Sequence, residues 1–283
     1  MRTRGFTLVE LVMVIVITGI LAASITVFLV PAVNSYFDTR RRADLTDMAD
    51  TALRRMTQDI RRAVPNSIHS ESATCFQLVP TIAGGRYRMA SDTVNDTPPL
   101  PCTPSATCSA PLDVTQATTV FDVLSPMAAT SAPQNDWIVI GNQNADDVYT
   151  GATRGQIATV SAAPARSTDG LLRITIGSKQ FPAGYDGGRF VVVADAAQSV
   201  FYSCRNNVLY RTVAAFDADR AATCLLTTGA VVATDVAADG CTFVYDPNEG
   251  ATQQSGFVWM RLQLTRSGES ITLSHGAHVD NVP

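Results

Sequence analysis

Three histidines are the side chains of this sequence best suited to acid–base chemistry or metal binding. His275 and His278 lie close to Asp280, but residues three positions apart point to opposite faces of a strand, and two histidines are too few for a zinc site. The oxygen-rich segments 217–219 and 246–250 lack the regular ligand spacing of a calcium loop. The sequence has no phosphate loop, dinucleotide fingerprint or nucleophile elbow. We therefore expect no enzyme activity, no metal site and no cofactor.

Six cysteines, all after residue 70, are the next candidates for chemistry. They favour disulfides in an oxidising compartment, and the absence of a Cys-x-x-Cys pair argues against zinc or thioredoxin-like chemistry. Among the fifteen possible pairings, the hypotheses are Cys102 with Cys108, Cys204 with Cys241, and Cys75 with Cys224. The first pair would close a local loop, the second would join two β-rich segments, and the third contains the remaining cysteines. Free, buried thiols are the alternative.

One carboxylate, Glu10, stands at the front of an apolar segment. Residues 11–30 are twenty positions without a charge, about the length that a helix needs to cross a bilayer. A charge inside hydrocarbon costs about 2.5–3.5 kcal/mol on insertion scales, so it usually has a partner or a function. The segment is too long for a removed signal peptide. Two interpretations of this segment remain. It is either a plain membrane anchor, or a helix that stays on the mature protein after a cut between Gly5 and Phe6.

Residues 4–10, Arg-Gly-Phe-Thr-Leu-Val-Glu, resemble the processing site of type IV pilins and type II secretion pseudopilins. The resemblance implies that prepilin peptidase cuts after Gly5 and methylates the new amine of Phe6. Glycine suits the cut because a backbone without Cβ can be approached closely. It also implies that Glu10 faces the amine of Phe6, on a neighbouring subunit or on itself, when helices stack in a fibre. Such a pair is tolerable in an apolar bundle and can set the register between helices.

Three further segments, 83–88, 200–210 and 278–283, resemble the MSHA (mannose-sensitive haemagglutinin) branch of minor pilins, which is related to the PilW and GspJ groups. This resemblance implies a subunit that primes or caps a pilus. Its expected partners are other minor pilins, the major pilin, the inner-membrane assembly platform and membrane lipid. The alternatives are a GspJ-like secretion pseudopilin and a membrane-anchored periplasmic adhesin or binding module that does not polymerise.

The charge balance adds limits on partners and location. Charged residues make up 16% of the sequence and the net charge is −4, so no basic excess points to nucleic acid. Arginines occur both before the apolar segment and after it, at 40–42, so the positive-inside rule is ambiguous. The cysteines and the processing motif favour an inner-membrane protein with a cytoplasmic N-terminus and a periplasmic body, which then moves to a pilus on the cell surface. The arginines at 40–42 are interpreted as a solvated collar or a contact for lipid headgroups.

A long helix must position these residues. Between 43 and 64, apolar residues recur every three or four positions, which predicts an amphipathic helix that Pro65 ends. Pro31 removes a hydrogen-bond donor and predicts a kink. Many pilins carry a helix proline slightly nearer the N-terminus, where this chain has Val27.

Short apolar segments separated by turn residues follow Pro65 and predict antiparallel strands. The predicted strands are 75–79, 120–124, 137–140, 156–160, 171–176, 190–193, 199–202, 208–211, 242–245, 257–265 and 270–274. The fold class is therefore α+β, with a long N-terminal helix packed on an antiparallel β-sheet. We expect a leader at 1–5, a transmembrane and assembly helix at 6–30, its amphipathic continuation at 31–64, and a β-rich head at 65–283.

Overall fold

A computed structural model describes residues 5–162, 171–183, 187–247 and 255–281. Its first element is helix α1, Leu8–Arg61, which has 54 residues. The helix begins two residues later than predicted and ends three residues earlier, before Pro65. Pro31 lies inside α1, and the helix is assigned without interruption across it. The kink at this proline stays a prediction.

Among the described residues, the remaining elements are fourteen strands, two short α-helices and two single-turn 3-10 helices at Ala129–Ser131 and Asp195–Ala197. The strands are β1 His69–Ser72, β2 Cys75–Leu78, β3 Ala83–Arg86, β4 Thr118–Asp122, β5 Trp137–Val139, β6 Arg154–Ala162, β7 Leu172–Lys179, β8 Arg189–Val193, β9 Ser199–Arg205, β10 Val208–Ala214, β11 Ala230–Ala233, β12 Val236–Asp246, β13 Ser255–Arg266 and β14 Glu269–Asp280. The short α-helices are α2 Asp147–Thr150 and α3 Arg220–Cys224. All eleven predicted strands overlap an observed strand, whereas β1, β3 and β11 were not predicted.

The strands form three antiparallel sheets. One has five strands in the order β1-β2-β9-β10-β11, and one has three in the order β12-β13-β14. The third has six strands in the order β3-β8-β5-β6-β7-β4. Because β2 pairs directly with β9, the six strands between them are an insertion into the five-stranded sheet. We call residues 79–198 the inserted lobe.

The second half of α1 packs against the five-stranded and three-stranded sheets. Its buried side chains are spaced as predicted: Leu45, Ala49, Ala52, Leu53, Met56 and Ile60. They share one core with residues of β2, β9, β12, β13 and β14. Strand β13 alternates as predicted, with Val258, Met260, Leu262 and Leu264 buried on the helix-facing side. These findings confirm the α+β architecture of a long helix on antiparallel sheet.

The inserted lobe has a core of its own, which includes Phe121, Ile138, Ile174 and Phe190. A smaller apolar cluster joins this lobe to the rest of the head, and it contains Val64, Val79, Val139, Val148, Tyr149, Val193 and Phe216. Hydrogen bonds cross the same junction. Asn142 donates to the carbonyl oxygen of Pro65 at 2.6 Å, and the Tyr149 hydroxyl donates to that of Ser67 at 2.5 Å. This second core was not among the features predicted from the sequence.

Candidate functional site

The first turn of α1 holds the residues that the sequence singled out. Thr7 caps the helix: its hydroxyl oxygen accepts from the Glu10 backbone N–H at 3.3 Å. The Glu10 carboxylate in turn accepts from the Thr7 backbone N–H at 3.1 Å. This reciprocal arrangement is a capping box, which satisfies two backbone donors that a helix end otherwise leaves free. Gly5 and Phe6 precede the cap, and the side chain of Phe6 is exposed.

The sequence contains a pattern typical of this cap, although the cap was not among the features predicted from it. Thr7 and Glu10 are the first and last residues of a Thr-x-x-Glu pattern directly before an apolar segment, which is typical of a capping box. In the isolated subunit, Glu10 therefore accepts hydrogen bonds from its own helix. Its carboxylate is held at the helix end that a cut after Gly5 would turn into the new N-terminus.

Among the described residues, none packs around the first half of α1. Every large apolar side chain from Phe6 to Phe37 is between 46% and 84% exposed. Polar side chains in this part bond back to the helix, as when Thr18 donates to the carbonyl oxygen of Val14 at 2.7 Å and Ser24 to that of Ile20 at 2.9 Å. Within the described residues, α1 is the one helix long and apolar enough to span a bilayer. Such a surface needs an apolar environment, and the described part of the chain does not provide one.

The second half of α1 is held to the head by ion pairs as well as by its core. Asp59 accepts from the Arg211 guanidinium at 2.8 Å and from the Tyr202 hydroxyl at 2.8 Å. Burial and the nearby Asp59 carboxylate raise the pKa of Tyr202. Arg42 pairs with Glu269 of the β13–β14 hairpin, and its hydrogen bond holds the pKa of that carboxyl below its usual value.

The ion pair between Arg42 and Glu269 shows that the arginines at 40–42 also make contacts within the protein. Arg41 pairs with Asp38 at 2.9 Å, and Arg42 pairs with Glu269. Two of the three therefore have partners within the protein, one of them across the helix–head contact.

Three disulfides fix the head. They join Cys75 to Cys224, Cys102 to Cys108 and Cys204 to Cys241, with no free cysteine among the described residues. The first ties β2 to α3, and the last ties the five-stranded sheet to the three-stranded sheet. The 102–108 loop is also held by Arg173, which donates to the carbonyl oxygens of Ser105 at 2.8 Å and Cys108 at 2.9 Å.

The candidate metal residues are dispersed. His275 and His278 lie in β14, opposite Met260 and Phe257 respectively, and the His278 ring packs on Phe257 at 5.0 Å between centroids. Asp219 caps α3 by accepting from the Ala222 N–H at 2.9 Å. Residues 248–250 of the second oxygen-rich segment lie outside the described part of the chain. Across the part that is described, no group of three His, Cys, Asp or Glu side chains is placed to hold a metal ion.

His69 belongs to a polar cluster that the sequence did not indicate. Its Nε2 lies 3.0 Å from the carbonyl oxygen of Ala145, and Arg220 donates to Asp146 at 2.6 Å beside it. Burial lowers the pKa of His69. The partners are separated from His69 by more than seventy residues, so no local pattern could have predicted the cluster.

A comparison with family models gives one match at the N-terminus. The prokaryotic N-terminal methylation motif matches residues 1–26. This match supports a type IV pilin-like protein. Together with the apolar helix, it indicates membrane anchoring, pilus association and interaction with prepilin peptidase and pilus components in general. Searches of curated proteins and of solved structures give no match.

Proposed function

We propose that this chain is a minor type IV pilin-like subunit of the MSHA type, similar to MshO. It is made as a prepilin, cut by prepilin peptidase after Gly5 and methylated on Phe6. With other minor pilins, the major pilin and the inner-membrane assembly platform, it primes pilus assembly or caps the pilus. Its work is assembly through the N-terminal helix, not catalysis.

The division of α1 into an exposed and a buried half is the observation that carries this proposal. The second half is an integral part of the head core, with six side chains buried between Leu45 and Ile60. The first half continues the same helix as an apolar rod with no polar face. A lipid bilayer can cover such a rod before assembly, and the helices of neighbouring subunits can cover it afterwards.

Glu10 supplies the register in this mechanism. In the isolated chain its carboxylate accepts from the backbone N–H of Thr7, one residue beyond the amine that cleavage would create on Phe6. In a bundle of apolar helices, an ammonium and a carboxylate are each costly alone and acceptable as a hydrogen-bonded pair. We expect Glu10 to exchange a backbone partner for the Phe6 amine of a neighbour when subunits stack.

The disulfides of the head indicate the compartment in which it lies. Three disulfides fit the oxidising periplasm, so we place the head there and the residues before α1 in the cytoplasm. The apolar half of α1 then crosses the inner membrane once. Arg42 and its partner Glu269 would lie on the periplasmic side, where the helix leaves the membrane.

Mass spectrometry of sheared surface fibres from cells that express the full chain tests the proposal. We expect peptides of this protein at low stoichiometry, beginning with N-methylated Phe6. A mature protein that retains Met1 or Arg2 would instead be a plain anchor. Correct processing without any signal in the fibres, combined with a secretion defect on deletion, would favour a pseudopilin.

A further inference from the structure

We propose that a cavity at the C-terminal end of α1 binds a small organic carboxylate. The cavity has a volume of about 240 Å³ and lies where α1, the inserted lobe and the end of β14 meet. Arg61 and Arg62 line it from the helix, and Arg189 lines it from β8. We call it the arginine cavity. It is separate from the exposed first half of α1, and the proposal does not depend on pilus assembly.

Charge is the first argument. Three arginines line the arginine cavity against one acidic residue among the described residues, Asp280, which leaves an excess of two positive charges. In the described part of the chain, neither Arg61, Arg62 nor Arg189 forms an ion pair. Arginines that outnumber the carboxylates of a cavity are suited to an added anion, which they can bind through charge-assisted hydrogen bonds.

The dipole of α1 does not explain the presence of Arg189 at the arginine cavity. Arginines near the end of a helix are favoured by its dipole, which accounts for Arg61 and Arg62. Arg189 comes from another lobe, and its cross-strand neighbour is Arg86 on β3. Like charges directly opposite each other on paired strands repel. An anion at Arg189 would relieve this repulsion.

The walls indicate an organic ligand. Pro65 and Val191 are partly exposed apolar residues that line the arginine cavity. Asn142 also lines it, but its amide is already bonded to Pro65 and Thr153. An inorganic anion would use the charges and leave the apolar wall wet. A carboxylate on a small carbon skeleton would use both, and the volume is below the usual range of roughly 300–1,000 Å³ for larger ligands.

The site is also rigid, which favours binding. The backbone oxygen of Arg62 accepts from the Thr81 N–H at 2.7 Å and from the Thr81 hydroxyl at 2.8 Å. This fixes the end of α1 against the first residues of the inserted lobe. A ligand that contacts both Arg62 and Arg189 would bridge the lobe and the helix, so it should stabilise the folded chain by mass action.

Isothermal titration of the full mature chain in non-ionic detergent, with thermal unfolding in parallel, tests the inference. Glucuronate is the probe, because it joins one carboxylate to a compact ring. Glucose is its neutral match and inorganic phosphate is the carbon-free anion. The variants are Arg189→Gln and Arg62→Gln, and the control is Arg55→Gln, an exposed arginine of α1 that does not line the arginine cavity.

We expect glucuronate to bind and to raise the unfolding temperature, and glucose to do neither. Binding should weaken at least about tenfold in Arg189→Gln and in Arg62→Gln, the size of loss expected for one charged hydrogen bond, and stay unchanged in Arg55→Gln. The two variants alter different elements, so misfolding of one leaves the other as a test. The inference is overturned if glucuronate does not bind at millimolar concentration, if phosphate binds and glucuronate does not, or if the control loses as much affinity as the other variants.

Discussion

The first half of α1 exposes its large apolar side chains, and the second half buries them. Both belong to one helix, Leu8–Arg61. In the second half, apolar residues occupy one face, and charged residues such as Asp50 and Arg54 occupy another. In the first half, the apolar residues surround the helix. A helix with one apolar face can be covered by a sheet, whereas a helix that is apolar all round must be surrounded.

This difference separates folding from assembly along a single element. Changes in the buried half should alter the stability of the head, because they act on its core. Changes in the exposed half should alter processing, membrane insertion or incorporation into a fibre, and leave the head folded. Matched substitutions on the two halves can therefore break or sharpen the comparison.

The largest expected effect is at the cut site. Gly5→Leu should leave the precursor uncut, because the new side chain blocks close approach of the peptidase to the backbone. Gly19→Ala is the control, since a Cβ at Gly19 meets no atom within 4 Å in the structure. An immunoblot should show the precursor mass for Gly5→Leu and the mature mass for Gly19→Ala. A mature band of normal strength in Gly5→Leu would disprove cleavage at this position.

Glu10→Gln separates the two roles of Glu10. Glutamine can still accept the Thr7 N–H of the capping box, but it has no charge to pair with the Phe6 amine. We expect normal cleavage and a loss of most of the protein from sheared fibres. Thr7→Ala is the matched control: it removes the cap hydroxyl, at a cost of about 0.5–2 kcal/mol to the helix, and keeps the charge. Should Thr7→Ala be lost from fibres while Glu10→Gln is retained, helix capping and not charge pairing would be the function of this turn.

Two leucines of α1 compare the halves directly. Leu53 is fully buried and Leu21 is 57% exposed. Leu53→Ala should lower the free energy of unfolding of the head by roughly 2–5 kcal/mol, because it leaves a cavity in the core. Leu21→Ala should change it by less than about 0.5 kcal/mol. Denaturant unfolding of the mature chain in detergent measures both. Equal destabilisation by the two changes would show that the apolar half also supports the head.

The patterns that were predicted from the sequence are those set by near neighbours. The spacing of Leu45, Met56 and Ile60 and the alternation along β13 each depend on one element and its own periodicity. The inserted lobe depends on the pairing of β2 with β9, which joins residues about 120 positions apart in the sequence. Strand β3, Ala83–Arg86, has two central glycines and so lacks the branched or aromatic side chains by which strands are recognised.

The candidate sites follow the same rule. The proposed cleavage and assembly residues lie within six positions, from Gly5 to Glu10, so the sequence alone was sufficient to propose them. The arginine cavity joins Arg62 and Arg189 from two lobes, and the cluster around His69 joins three separate segments. Neither site has a local spacing that could predict it, because the tertiary contacts of the insertion bring their residues together.

Substitutions of two aspartates on opposite faces of the buried half should have a smaller effect on stability than Leu53→Ala. Asp59 faces the head and accepts from Arg211 and Tyr202, whereas Asp50 pairs with Arg54 on the exposed face at 2.6 Å. Asp59→Asn should cost roughly 1–3 kcal/mol, because it leaves the half-buried Arg211 without its counter-charge. Asp50→Asn should cost at most about 0.5 kcal/mol. Thermal unfolding of the two variants side by side is the measurement, and a reversed order would place the helix–head contact elsewhere.

The smallest expected effect is a pH dependence of the stability of the head, caused by His69, which follows the buried half of α1 in the sequence. Burial lowers the pKa of His69 in the folded chain, so the folded state holds this ring neutral more strongly than the unfolded state does. The resulting stability is present above the unfolded pKa of about 6.5 and is lost as pH falls through the lower folded value. The denaturant concentration at the unfolding midpoint should therefore decrease in the wild type as the pH is lowered from about 7.5 to about 5.5.

His69→Gln should reduce that fall, and His278→Gln, on the exposed face of β14, should keep it. Asp146 and Glu71 lie near His69, and the hydrogen bond from Arg220 lowers the pKa of Asp146, which moves its titration further below this window. The guanidinium of Arg220 also lies near the ring, 3.3 Å from Nε2 of His69. An identical pH response in the wild type and in His69→Gln would show that protonation of this ring does not affect the head. Fibre incorporation should not follow the ring, because His69 belongs to the head and not to the exposed half of α1.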